Sequence, residues 1–152
     1  MTVLSRALAL ESVDYEVIEH PRTETATAEA RALGVPLDEV AKTVVLVTAG
    51  GHVRAVLPAS ERLDLSRVRE ILGDGKTVHL ASEEELAHDY PMFELGAVPP
   101  LGGPHDPVLV DRHTADHESV FVEGGTHQES LLMKTVDLLT VTNARVAEIC
   151  ER

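Results

Sequence analysis

Apolar and polar residues follow two different periods in the first part of the chain. Tyr15–Glu19 alternates between the two kinds, which predicts a strand, and His20-Pro21 ends it because proline donates no N–H and restricts the residue before it. Ala26–Leu33 is rich in alanine and is followed by Gly34, which predicts a helix with a glycine stop. Apolar residues at helical spacing near the N-terminus predict a first helix from about Thr2 to Ser12.

The clearest hairpin signal follows. Two β-branched runs, Lys42–Ala49 and His52–Ala59, are separated by Gly50-Gly51, which suits a tight turn. Pro36 predicts a short turn just before this hairpin. The other expected elements are a helix capped by Asp64 and running through Leu72, strands at Lys76–Ala81, Pro107–Asp111, Ser119–Glu123 and Glu129–Met133, a helix from a capping box at Ser82–Glu85 to about His88, a helix at Thr135–Thr140 and a closing segment at Val146–Ile149.

The order of these elements predicts the fold class. Hairpins are mixed with helices and do not alternate strictly with them, which favours an α+β fold with a mixed, mostly antiparallel sheet. We expect this sheet to curl into a barrel-like core with the helices packed outside. No linker, repeat or low-complexity tract divides the 152 residues, so residues 1–152 are predicted to form one domain.

Composition limits the classes of function. The net charge of −13 argues against a general nucleic-acid coat protein, whose binding depends on phosphate contacts, although a local patch could still read one end of an RNA. With no signal-peptide pattern and no apolar run of membrane-spanning length, a cytoplasmic location and no membrane or DNA partner are expected. Cys150 is the only cysteine, so an intramolecular disulfide is excluded.

Lys42 is the most informative single residue. It opens an apolar strand-like run, where a cation is costly to desolvate unless an anionic group uses it. About fifty residues later, Gly96–Pro100 reads Gly-Ala-Val-Pro-Pro, a stiff loop that can present backbone N–H groups. Together they predict a pocket for an anionic or ester-bearing ligand, with Lys42 and the loop facing each other across one cleft. The alternatives are a surface lysine with its stem on apolar neighbours and a plain connecting loop.

Histidines offer further candidates. His20 at the end of a strand is either a capping residue or a pocket residue, and His127 is either a hairpin-tip residue or a polar group at the pocket rim. His105, His113 and His117 lie close in sequence, and the last two have the four-residue spacing of metal ligands on one helical turn. A polar surface turn explains the same residues, so neither a metal nor another cofactor is predicted.

An ordered set of short motifs resembles the YbaK family, also called the prolyl-tRNA synthetase editing domain family. The matching stretches cover nearly the whole chain in the order found in the family. They are Glu19-His20-Pro21-Arg22, Thr27-Ala28-Glu29-Ala30, Leu33-Gly34-Val35, Val40–Leu46, Ala55–Ala59, Arg62–Leu65, Ala81–Leu86, Gly96–Pro100 and Val120–Gly125.

The resemblance implies hydrolysis of the ester that links a wrong, small amino acid to the 3′ end of a tRNA, with tRNA-Pro among the candidates. It implies catalytic roles for Lys42 and Gly96, with Lys42 near the terminal adenosine and the loop holding the aminoacyl group by its backbone. The implied substrate-binding residues are His20, Thr25, Ala97, Val98, Pro99, Pro100, Gly125 and His127. An aminoacyl-tRNA synthetase is a candidate partner. The alternative is a non-catalytic module that keeps the pocket and docks a synthetase or an aminoacyl compound.

The chain departs from the family inside the loop. Many relatives carry serine or threonine where this chain has Pro99, and phenylalanine where it has Leu101. Pro99 removes one backbone donor, so the amino acid that the loop accepts is left open among alanine, cysteine, serine and non-protein amino acids.

Overall fold

A computed structural model describes residues 13–73 and 77–151 of the chain. The helix expected at Thr2–Ser12 lies outside these residues, as does the start of the strand expected from Lys76. Within the described part, the strand expected there is limited to His79–Leu80. None of the helices in these two ranges is both long and apolar enough to cross a bilayer.

The described residues form one eight-stranded sheet with helices around it. The strands are β1 (Tyr15–Glu19), β2 (Val40–Thr48), β3 (Gly51–Pro58), β4 (His79–Leu80), β5 (Val108–Asp111), β6 (Ser119–Glu123), β7 (Glu129–Lys134) and β8 (Arg145–Ala147). The helices are α1 (Ala26–Leu33), α2 (Leu65–Leu72), α3 (Glu83–Asp89), α4 (Arg112–Ala115) and α5 (Thr135–Thr142), with a 3-10 turn at Leu37–Glu39. These elements confirm the predicted α+β class.

Local sequence signals begin and end the helices as expected. Asp64 accepts a hydrogen bond from the Arg67 backbone N–H at the start of α2, and Ser82 and Glu85 form a complete capping box at the start of α3. Gly34 ends α1 with φ +71°, in the left-handed region that suits glycine. These caps satisfy N–H and C=O groups that the helices leave unpaired at their ends.

The sheet is open. Its strands follow the order β1-β7-β6-β2-β3-β5-β8, and β4 pairs with β2 off this path. Four of these pairings are antiparallel and three, β2–β6, β3–β5 and β5–β8, are parallel. The expected curling into a barrel is not confirmed, because β1 and β8 stand at opposite ends of the order and no pairing among the described strands joins them. Parallel pairings depend on distant segments, which local sequence signals do not specify.

The two faces of β2 pack against different parts of the core. Ala41 belongs to a cluster with residues of β3, β5, β6 and β7, and Val45 packs with Tyr90 and Val98. Leu46, on the other face, packs with Val68 of α2. Side chains alternate between faces along a strand, and the β2–β3 register is continuous from Ala41 to Thr48, so Thr43 shares a face with Val45, whereas Lys42 shares a face with Leu46.

One edge of β2 is interrupted. On that edge β6 pairs with Val40 and Ala41, and β4 pairs with Leu46 and Val47. The carbonyl of Val45 accepts a hydrogen bond of 3.0 Å from the Ala81 N–H. We call the unpaired stretch between these contacts, Lys42–Val44, the β2 gap. Backbone groups of alternate residues point to the same edge of a strand, so the N–H and C=O of Thr43 point into the gap.

Candidate functional site

A cavity of about 220 Å³ opens at the β2 gap. Its walls come from β2, from the segment after β4, from α3 and from the Gly-Pro loop. They are Thr43, Val44, Val45, Leu80, Ala81, Leu86, Gly96 and Val98. No titratable side chain is among them. Thr43 has the one polar side chain among these walls, and its hydroxyl is buried without a hydrogen-bond partner in the described part of the chain.

A second cavity, of about 210 Å³, lies next to the first. The two share Leu86 and Val98 as walls. The second cavity is further lined by Ala87, Tyr90, Pro91, Phe93, Glu94 and Leu95. Each is smaller than the pockets that usually hold drug-sized ligands, so the first cavity suits a small group.

The Gly-Pro loop turns sharply at Gly96, whose φ is +84°. The four residues after it, Ala97 to Pro100, are buried. The N–H of Ala97 donates to the carbonyl of Glu94 at 3.0 Å, and Pro99 and Pro100 have no N–H. The N–H groups of Gly96 and Val98 have no acceptor within the described ranges, so these two are the donors that the loop offers to a ligand.

His127 lies against this loop. Its ring is buried, with 5% of the residue exposed, and its Nε2 lies 2.6 Å from the carbonyl oxygen of Leu95. Because a carbonyl only accepts, Nε2 carries the proton in this contact. Nδ1 has no partner among residues 13–73 and 77–151, which leaves it as an acceptor when the ring is neutral. The His127 backbone N–H donates to the Glu94 carboxylate at 2.9 Å.

A polar chain runs from the half-buried His20 to the buried Ser130 and Glu29. The Nδ1 of His20 contacts the Pro21 carbonyl at 2.8 Å, and its Nε2 contacts the hydroxyl of Ser130 at 2.9 Å. Ser130 in turn donates to the carboxyl group of Glu29. Both ring nitrogens of His20 are therefore occupied by protein groups, and its place among the substrate-binding residues stays a prediction.

Two carboxyl groups meet at the end of this chain. Glu29 comes from α1 and Glu123 from β6. Burial, and after it the neighbouring Glu29, raise the pKa of Glu123 to about 9. Burial also raises the pKa of Glu29, against the hydrogen bond from Ser130, which lowers it. We infer that Glu123 keeps its proton at neutral pH.

Lys42 does not line the cavity. It immediately precedes Thr43 at the edge of the β2 gap, and its side chain belongs to the face of the strand shared by Val44, which is a cavity wall. Burial lowers the pKa of its ammonium group; Cys150 raises that pKa, whereas Arg62 lowers it. The walls of this cavity include Gly96 and not Lys42, and the expectation that the two face each other across one cleft stays a prediction.

Two further predicted site residues have structural roles. The side chain of Thr25 is exposed and caps α1 by accepting from the Ala28 N–H at 3.1 Å. Gly125 has φ +93°, its carbonyl accepts from the Glu94 N–H at 2.9 Å, and a methyl group there would lie 2.9 Å from Phe93. Gly125 therefore holds the loop that carries His127 against the segment before Gly96.

The histidines considered as metal ligands are not brought together. His113 Nδ1 contacts Glu61 at 2.9 Å, whereas His117 Nε2 faces Asp38 at 3.5 Å. In the described part of the chain, the group whose atoms could share an ion is Glu61, Asp111 and Cys150. Asp111 already accepts hydrogen bonds from the backbone N–H groups of Ile149 and His113.

Sequence reasoning missed several residues around the cavity. Thr43 directly follows Lys42 in sequence, and strand alternation places the two side chains on opposite faces of β2. Glu29 and Ser130 lay in helix and strand patterns without a local signal of contact. Arg54 lies within the β-branched run His52–Ala59. A charged residue in such a run is a sequence signal of a buried ion pair.

Taken together, these observations describe an α+β protein whose open mixed sheet carries a small cavity between an interrupted strand and a Gly-x-x-x-Pro loop. Residues 20–141 match the model of the aminoacyl-tRNA editing domain family. The chain belongs to this family, and the resemblance noted from its motifs is confirmed.

Relatives of two kinds are similar to the chain. The proline–tRNA ligase of Acidithiobacillus ferrooxidans is 31% identical over 109 residues, which cover 70% of this chain and 18% of the ligase. The ligase of Thermosipho africanus is 25% identical over 114 residues, which cover 75% of this chain and 20% of the ligase. The chain thus spans about a fifth of the length of these ligases.

Other relatives match nearly end to end. The Enterococcus faecalis protein named "Putative Cys-tRNA(Pro)/Cys-tRNA(Cys) deacylase EbsC" is 25% identical over 151 residues, which cover 95% of this chain and 90% of that protein. A solved structure described as "a putative trans-editing enzyme for prolyl tRNA synthetase" is 28% identical, with a TM-score of 0.86. The match covers 100% of this chain and 99% of the chain in that structure. The expected class, a hydrolase of the aminoacyl-tRNA editing kind, agrees with both descriptions.

Proposed function

We propose that this protein is a trans-editing deacylase that hydrolyses the ester of a mischarged tRNA carrying a small amino acid. The observation that carries the proposal is the cavity of about 220 Å³ in which Gly96 faces the β2 gap. Its size and apolar walls suit a small aminoacyl group and exclude the body of a nucleotide. The end-to-end similarity to EbsC makes tRNA-Pro a candidate carrier.

The chemistry needs little from side chains. An aminoacyl ester is already activated, so positioning a water against its carbonyl can supply much of the acceleration. The N–H groups of Gly96 and Val98 are candidates to stabilise the oxyanion. The backbone C=O of Thr43 in the gap can accept a hydrogen bond from the α-ammonium group, and its N–H can donate to an oxygen of the substrate.

His127 is the proposed residue that positions the water. With Nε2–H bound to the Leu95 carbonyl, the lone pair of Nδ1 is available to accept from a water molecule. The ring contacts Gly96, as a methyl group there would lie 3.4 Å from its Cε1. A water held by His127 would therefore be close to the loop that receives the ester carbonyl.

Lys42 is proposed to act at the margin of the cavity. Its position beside the β2 gap allows the flexible side chain to neutralise a phosphate or hold a ribose hydroxyl of the terminal adenosine by a charge-assisted hydrogen bond. The net charge of −13 leaves little electrostatic attraction for the rest of the tRNA. A synthetase partner that supplies this affinity remains part of the proposal.

One observation favours the alternative, a non-catalytic module that binds a synthetase or an aminoacyl compound. The cavity has no titratable side chain among its walls. A turnover experiment separates the two functions. Substoichiometric protein is incubated with tRNA-Pro charged with alanine, cysteine or serine, and the release of free amino acid is followed against the spontaneous rate.

The deacylase predicts release of many equivalents per protein for at least one amino acid. Correctly charged prolyl-tRNA is the matched control and should be hydrolysed at least about tenfold more slowly. Binding of the aminoacyl-tRNA without release would support the binding module. Absence of both from every tRNA tested would contradict the proposed function.

A further inference from the structure

The side chain of Arg54 is buried, with 1% of the residue exposed. Arg54 lies on β3 directly opposite Val45, a cavity residue, and beside Val108 of β5. A buried guanidinium is costly unless it is paired and hydrogen-bonded. Its hydrogen-bond partners therefore indicate which part of the protein this cation stabilises.

Most of its hydrogen bonds go to the segment that follows Gly96. Nη1 donates to the Pro99 carbonyl at 2.9 Å, and Nη2 donates to the carbonyls of Gly102 at 2.7 Å and Pro104 at 3.0 Å. Nε donates to the carboxylate of Asp106 at 3.0 Å. Four of the five N–H groups of the guanidinium are thus used on one segment.

Tyr90 completes this arrangement. Its hydroxyl donates to the same carboxylate oxygen of Asp106 at 2.5 Å, and its ring lies 5.1 Å from the guanidinium carbon of Arg54. Tyr90 also lines the second cavity. The cluster of Arg54, Asp106 and Tyr90 therefore connects β3, the loop and the end of α3.

Stability alone does not account for such a cluster. Replacing a buried ion pair with apolar residues of similar volume is often neutral or stabilising. The contacts of Arg54 instead fix the carbonyl of Pro99, next to Val98, and Val98 is a wall of both cavities. The guanidinium thereby sets the position of the loop relative to Val45 and the β2 gap.

We propose that Arg54 is a positioning residue that holds the Gly96–Pro100 loop in its reactive geometry and so sets both the rate and the size selectivity of the site. This inference rests on the proposed deacylase function. A loop displaced by about 1 Å can cost on the order of 100-fold in rate. A looser loop also enlarges the cavity, so larger amino acids should be rejected less strongly.

The test compares R54M, R54K and D106N with R69M as the matched control. Arg69 also donates to a backbone carbonyl, that of Val78, through Nε at 3.1 Å and Nη2 at 2.9 Å, but on α2 and away from the loop. Thermal unfolding establishes that each variant is folded. Single-turnover deacylation then gives the rate constant and the half-saturating concentration of aminoacyl-tRNA.

We expect the rate constant to fall about 100-fold in R54M and about tenfold in R54K and D106N, with half-saturation changed by less than about threefold. The ratio of alanyl to leucyl release should fall in the same variants. R69M should keep both the rate and this ratio. R54K and D106N at wild-type rate and selectivity would overturn the inference, as would an equal loss in R69M. R54K and D106N decide the question if R54M does not fold.

Hydrogen exchange separates this inference from the proposed function. If wild-type protein releases no amino acid from any tRNA, the deacylase assignment fails, but the hydrogen exchange of the loop amides can still be measured. Amides of residues 96–106 should exchange faster in R54K than in wild-type protein and R69M. Unchanged exchange in R54K would overturn the positioning role even if the wild type were active.

Discussion

The imidazole of His127 covers the open side of Gly96: a methyl group at position 96 would lie 3.4 Å from Cε1 and 3.7 Å from Nε2 of that ring. We therefore predict that Gly96→Ala lowers single-turnover deacylation about 100-fold, because the added methyl group enters the site and the loop must leave its φ of +84°. The strain of a left-handed alanine should cost about 1–2 kcal/mol of stability.

Gly34→Ala is the matched control for this change. Gly34 has a φ of +71°, and a methyl group there would meet nothing within 4 Å. It should lose a similar free energy of unfolding and keep its activity. Equal loss of activity in the two variants would show that the effect of Gly96→Ala is only a loss of stability.

His127→Phe removes the nitrogen atoms of the ring and keeps an aromatic ring at this position. We predict a fall of about 100-fold in the deacylation rate constant, because the acceptor Nδ1 and the bond from Nε2 to Leu95 are both lost. His105→Phe, at an exposed position near the same loop, is the control. A His127→Phe variant with wild-type rate would remove His127 from the proposed mechanism.

Lys42→Ala should abolish deacylation while the fold survives, because the variant loses the cation proposed to hold the terminal adenosine. The measurement is amino acid release from the same panel of mischarged tRNAs, with circular dichroism to confirm folding. Lys134→Ala removes an exposed lysine and should change nothing. Unchanged hydrolysis of every mischarged tRNA by Lys42→Ala would defeat the assignment of Lys42.

Thr43→Val tests whether the side chain of Thr43, a cavity wall, matters as well. The substitution keeps the shape of the side chain and removes a buried hydroxyl that has no partner in the described residues. We predict a fall of about tenfold in rate with little loss of stability, since no hydrogen bond of the folded protein is broken. An unchanged rate would limit the contribution of Thr43 to its backbone.

Local signals predicted the elements of this fold well. The double glycine at Gly50-Gly51, the cap at Asp64 and the capping box at Ser82 each act within a few residues, so the sequence carries them directly. The open sheet order and its three parallel pairings depend on residues far apart in the chain. Such pairings are decided by packing of the whole molecule, which no local pattern encodes.

The site was predicted only in part for the same reason. The Gly96 loop was found because its composition is unusual, and the structure places it at a cavity. The face to which Lys42 belongs followed from strand alternation, and the contacts of Arg54 and Glu123 are tertiary. Buried charged residues in apolar runs are the sequence signal that would have pointed to these contacts.

The carboxyl pair of Glu29 and Glu123 predicts a pH dependence of stability. In the unfolded chain Glu123 loses its proton near the ordinary value of 4.5, whereas burial and Glu29 raise its pKa to about 9 in the folded protein. Between these values the folded state binds more protons, so the free energy of unfolding falls as the pH rises. Glu123→Gln removes this titration and should reduce the fall between pH 5 and pH 8 by about 1–3 kcal/mol.

Thermal or urea unfolding of the two proteins at several pH values measures this difference. Glu118→Gln, which changes an exposed carboxyl group on the chain just before β6, is the control and should leave the slope as in the wild type. Because glutamine is neutral at every pH, the variant should be the more stable protein at pH 8, where the wild type must keep an extra proton bound or bury a second charge. A wild-type slope in Glu123→Gln would contradict a raised pKa of Glu123 in the folded protein.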